Sequence, residues 1–231
     1  MRIKLIVSTL IFIFVSMITS SCTRVEPGYA GIKVNMYGTN RGVEDYPIVT
    51  GRVFYNPITE EIYEFPTYYV IKTWTLDINE GSPTDESITF NSIEGAAINT
   101  DISVAVGFDG DKVPNVFVSF RKEADEIING YVRAQVRNKF NEYASKMKVT
   151  DIFGSQKQAL QDSVMASLVR ELEPMGFKFN MVSFVGAFRV SPEVAKSIDL
   201  TIQATQKAIE AENKVRESTA LARQSIEKAR G

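Results

Sequence analysis

Histidine is absent from all 231 residues, and cysteine and tryptophan occur once each. The missing histidine removes the commonest general base and the commonest metal ligand together. A lone cysteine, Cys22, rules out an internal disulfide framework. Charge of one sign is not in excess either: the formal net charge is −2, which gives no basic footprint and makes nucleic acid a poor partner. No Gly-x-Ser-x-Gly elbow is present, and Gly38-Thr39-Asn40-Arg41-Gly42 lacks the spacing and the lysine of a phosphate-binding loop. Asp109-Gly110-Asp111 lacks the further oxygen ligands and closing glutamate of a calcium loop, so it reads as a hairpin turn. Nothing selects one carboxylate pair over another for acid–base work. An enzyme is therefore not expected, and no cofactor or metal.

What is there begins at the N-terminus. Arg2 and Lys4 precede Leu5 to Ile18, a largely apolar run of 14 residues. That is short for a spanning helix, which needs about 20 residues, and suits the apolar core of a signal peptide. Cys22 follows four residues later, behind Ser20 and Ser21. The arrangement resembles a bacterial lipoprotein signal, although Thr19 stands where leucine is usual; the resemblance implies lipidation at Cys22. An uncleaved anchor is the alternative reading. In both, the basic flank stays inside, and the rest of the chain lies on the extracytoplasmic side, periplasmic or outer.

Beyond the anchor (residues 1–22), the punctuation from Val25 to about Phe90 is that of a sheet. Ile32, Val34 and Met36 alternate with Lys33 and Asn35; Arg52 to Tyr55 and Ile62 to Trp74 are rich in β-formers; Pro57 and Pro66 mark edges or strand ends. The clearest strand is Ala96 to Phe108, with Ile98, Thr100, Ile102, Val104 and Val106 on one face. From Lys122 to Met147 the spacing turns to three and four, predicting an amphipathic helix. Ser155-Gln156-Lys157-Gln158 has the form of a capping box opening a second helix, which Glu173-Pro174-Met175-Gly176 stops. Phe177 to Val190 returns to β character, and Ser191-Pro192-Glu193 opens a helix free of Pro and Gly to Arg230, about 60 Å long.

That last helix carries a pattern of its own. Leu200, Ala204, Ala208, Ala211, Val215, Thr219, Ala222 and Ile226 are spaced 4, 4, 3, 4, 4, 3, 4, an eleven-residue repeat that predicts a nearly straight or slightly right-handed packing seam. Ile198, Ile202 and Ile209 make a second apolar line on the other side. Two lines on one helix suit a neighbour on each flank, and self-association is preferred over packing onto the chain's own domain. Leu200, Ala204, Ala208, Ala211, Val215, Ala222 and Ile226 are the candidate oligomerisation residues.

The series of segments resembles the SPFH or band 7 family, which includes stomatins, prohibitins and flotillins. Val25-Glu26-Pro27-Gly28-Tyr29-Ala30-Gly31-Ile32 is similar to the family's opening strand after the membrane segment. Thr50 to Pro57, Asn91 to Phe108, Tyr131 to Arg137, Gly176 to Val190 and the Ala/Glu/Lys/Arg-rich helix follow in the family's order. The resemblance implies an α+β fold, a curved antiparallel-rich sheet on two helices over residues 23–190, then a long oligomerisation helix over 191–231. It implies a non-enzymatic scaffold in contact with membrane lipids, forming a homo-oligomeric ring or cage that organises a microdomain or regulates a membrane protein such as a protease. An extracytoplasmic lipoprotein that binds a small ligand or peptide is the second reading.

Overall fold

The computed structural model describes residues 21–36, 42–43, 49–77, 79 and 83–230. The apolar run Leu5–Ile18 and most of the glycine-containing segment 38–42 lie outside them. Every strand pairing in the described residues is antiparallel. Strand β1 (Ser21–Val25) pairs with β4 (Gly51–Tyr55) as a two-stranded ribbon. A second sheet has the order β3 (Gly42–Val43), β2 (Tyr29–Asn35), β5 (Glu60–Pro66). The third is built on β8 (Ala97–Phe108), which carries β6 (Val70–Trp74) and β7 (Ile88–Asn91) along one edge and β9 (Phe177–Arg189) along the other.

Alternation along β8 decides which face is core. Ile98, Thr100, Ile102, Val104 and Val106 are all fully buried, as period-two patterning demands. Helices α3 (Arg133–Ala144) and α5 (Lys157–Leu172) cover that sheet, α3 against β7 and α5 against β9, and pack on each other. Phe90 stacks on Phe140 at 5.6 Å between ring centres, and Phe184 tilts against Phe140 at 5.0 Å, which ties sheet to helix. The expected α+β architecture is the one observed.

Three local expectations need correction. The run 122–147 is not one regular helix: it is α2 (Ala124–Ile127), a π-turn over Ile128–Val132, and α3. The reason lies in its spacing. Ile128, Val132, Val136, Phe140 and Ala144 recur every four residues, whereas a 3.6-residue turn drifts about 40° per such step. The wider π-turn takes up part of that drift, and all five remain fully buried. Asp109-Gly110-Asp111 does not close a hairpin; it leads through a 3₁₀ turn (Gly110–Lys112) into α1 (Val113–Phe120). Asp109 is held there by ion pairs to Lys112 at 3.7 Å and Lys178 at 3.4 Å. Ser155 does not cap α5, which begins at Lys157 with no side-chain cap, because the chain leaves the short α4 (Val149–Phe153) through a turn that points the Gln156 amide at the Asp151 carbonyl. Ile62–Trp74 is two strands separated at Thr67–Tyr69, the first ending at Pro66 where a strand end was expected.

Candidate assembly and membrane surfaces

The terminal helix α6 (Pro192–Arg230) runs for 39 residues. Ser191 opens it, accepting the Val194 amide on Oγ at 3.4 Å and the Ala195 amide on its carbonyl at 2.9 Å. Immediately upstream, Arg189 at the end of β9 is clamped onto Asp101 of β8, so the helix leaves a fixed corner of the sheet. Burial then stops within two turns. Ile198 is 5% exposed, with α4 in contact with the start of α6. From Asp199 to Lys228 every residue is exposed.

The seam therefore has no partner within the described chain. Leu200 is 58% exposed, Val215 63% and Ile226 54%, with Ala204, Ala208, Ala211 and Ala222 exposed between them. One member of the second line is reassigned: Ile198 belongs to the domain contact, leaving Ile202 and Ile209 as the exposed part. Leu221, 59% exposed, joins the apolar surface of the helix although the eleven-residue pattern does not include it.

Cys22, the candidate lipidation residue, is exposed in β1, directly opposite Phe54 of β4. Phe54 is 74% exposed. Composition gives no hint of this neighbourhood, because β1 looks like the tail of a signal peptide and acquires strand geometry only by pairing 30 residues downstream. Among the described residues no helix is long and apolar enough to cross a membrane.

A cleft of about 950 Å³ is lined by β5, the start of α2, Thr23 and Tyr55. Tyr29, Tyr63 and Tyr68 line it with Glu60, Glu61, Glu64 and Glu123. The Tyr29 and Tyr68 hydroxyls lie 2.6 Å apart, and this hydrogen bond raises the Tyr29 pKa. Burial works against ionisation of Glu60, yet the Lys33 ammonium at 2.8 Å and the Asn56 amide outweigh it and hold the carboxyl below its ordinary value. Glu61 accepts the Tyr63 hydroxyl at 2.9 Å. The cleft offers hydroxyls and carboxylates, with Lys72 also in its lining.

Residues 23–225 match the SPFH domain / Band 7 family. The chain belongs to that family. No curated protein matches it. SPFH proteins are generally membrane-associated, scaffold-like and non-enzymatic, and typically form oligomers.

Proposed function

We propose that this SPFH protein is a membrane-anchored homo-oligomeric scaffold, with its domain on the extracytoplasmic side and α6 as its assembly element. The observation that carries the reading is the exposure of the whole seam from Leu200 to Ile226 on a helix that leaves its own domain after Ile198. Apolar area left in water costs about 25 cal/mol per Å², so a partner is favoured, and alanines let neighbouring helices approach closely. Side-by-side stacking buries Leu200–Ile226 of one copy against the Ile202/Ile209 side of the next. Such head-to-tail contacts close into a ring when the rotation per subunit allows. A ring fixed to a membrane restrains what it encloses, whether lipids or a membrane protein such as a protease.

The anchor is either lipid on Cys22 or the uncleaved apolar run ahead of it; lipid is the preferred reading, and both leave Cys22 at the membrane. The test of assembly is sedimentation of the detergent-solubilised full chain beside Val215→Lys. Lysine at mid-seam must be desolvated or force helices apart. Wild type is expected as a large assembly and Val215→Lys as a much smaller, still folded species; a monomeric wild type overturns the reading. That outcome favours the second function, a ligand- or peptide-binding lipoprotein, which the tyrosine- and carboxylate-lined cleft supports.

A further inference from the structure

The ribbon of β1 and β4 has one face committed inward: Val25 is 1% and Val53 7% exposed. Alternation then forces Cys22, Arg24, Arg52 and Phe54 onto the opposite face, and all four are exposed. Register arranges them in two rows. Cys22 lies opposite Phe54, and two residues further along Arg24 lies opposite Arg52. Like charges directly opposite on an antiparallel pair repel. Neither arginine forms an ion pair with any described residue. Two arginines opposite each other in register, without an ion pair to any described residue, suit an anion, and a phosphate takes two such forks well.

The order of the rows says which phosphate. The chain arrives from the apolar run Leu5–Ile18. It meets first the Cys22/Phe54 row and then, about 7 Å on, the arginine row. Acyl chain, then phosphate, is the order met on leaving a bilayer. Phe54, exposed in the first row, can enter the acyl region while the arginines in the next row reach anionic headgroups, which attract nearby basic side chains.

We propose that the outward face of this ribbon is a headgroup site for anionic phospholipid, with Arg24 and Arg52 on the phosphate and Phe54 among the acyl chains. The inference rests on the anchored reading above, but holds for either form of the anchor. The ribbon then prefers anionic to neutral lipid.

The experiment uses the full chain carrying Phe54→Trp, reconstituted in vesicles of phosphatidylcholine alone or with phosphatidylglycerol. The native Trp74 is buried and supplies a constant background. In phosphatidylglycerol vesicles the new tryptophan is expected to emit at shorter wavelength and to be quenched by brominated acyl chains. Adding Arg24→Gln and Arg52→Gln should reduce that difference severalfold, as should raised salt. Both glutamines replace exposed residues, and circular dichroism checks the fold. Water-like emission in both vesicle types, or a difference that survives both glutamines, overturns the site. Loss of the difference on adding inorganic phosphate would make it a free-anion site and overturn the lipid assignment. Flotation separates the two readings: protein that leaves the vesicles contradicts anchoring, whereas protein that floats with the introduced tryptophan in water contradicts this inference alone.

Discussion

Arg189 closes on Asp101 with two parallel hydrogen bonds, Nη1 to Oδ2 at 2.8 Å and Nη2 to Oδ1 at 2.6 Å, while its Nε donates to Asn99 at 2.6 Å. The Leu76 amide also donates to Asp101 at 3.0 Å. The fork holds the Asp101 carboxyl below its usual range and raises the guanidinium. Because Arg189 stands three residues before Pro192, this pair sets where α6 departs from the sheet.

The first prediction follows from that pair. Arg189→Met should lower stability by about 1–2 kcal/mol, a figure discounted for the partial exposure of the guanidinium. Since the folded-state pKa of Asp101 is lowered, its contribution is fully present above the unfolded value of about 3.9 and is lost as pH falls through the folded one. The gap between wild type and variant in denaturant melts should be constant from about pH 6 to 8 and shrink below about pH 4. A gap that does not depend on pH would locate the effect in packing.

Trp74 is fully buried, and its indole N–H has no hydrogen-bond partner among the described residues. Leaving a buried donor unpaired costs about 1–3 kcal/mol, so Trp74→Phe trades lost volume against that penalty. The expected change is under about 1.5 kcal/mol, far smaller than the roughly 3–5 kcal/mol of an ordinary buried Trp→Ala truncation. Thermal melts of the two chains decide it.

Gly107 sits next to the end of β8 with no unusual backbone angle, yet a Cβ there would meet the Tyr68 carbonyl oxygen at 2.5 Å. The Tyr68 backbone cannot step aside without shifting the turn between β5 and β6. Gly107→Ala is expected to cost about 1–3 kcal/mol by overpacking. An unchanged melting point would mean that the turn moves freely.

Intact mass of membrane-extracted protein addresses the anchor. A species beginning at Cys22 with added acyl mass is expected. One that retains Met1 with unmodified Cys22 leaves the uncleaved apolar run as the anchor.

How far these features were legible in the sequence depends on how local their causes are. The β8 face, the stop at Gly176 (φ +108°) and the start of α6 follow from alternation, turn chemistry and capping, all read within a few residues. The β1 strand, the Cys22–Phe54 row and the two arginines were invisible because pairing joins segments 30 residues apart. The close approach at Gly107 and the cleft have non-local causes too. Ser155 misled because a capping box is a permissive pattern, and a turn out of α4 already used its space.

Ile198 and Leu200 lie two residues apart on α6 with opposite environments, one 5% and the other 58% exposed. The sequence pattern puts Leu200 in the eleven-residue seam and Ile198 in the second apolar line, but the domain takes Ile198 and leaves Leu200 to a neighbour. Truncation should separate the two roles. Ile198→Ala removes buried methyl groups and should cost the domain about 2–4 kcal/mol, lowering its melting point by roughly 2–4 °C per kcal/mol. Leu200→Ala removes nothing buried in the single chain, so the melt of dissociated protein should stay within about 0.5 kcal/mol of wild type. Its effect should appear instead in assembly, as a smaller or more readily diluted species in sedimentation. Ile198→Ala, measured where the domain is still folded, should assemble at close to wild-type size. If Leu200→Ala destabilised the isolated domain as much as Ile198→Ala, the seam would be packing within one chain; if neither altered assembly, the contact between copies would lie elsewhere.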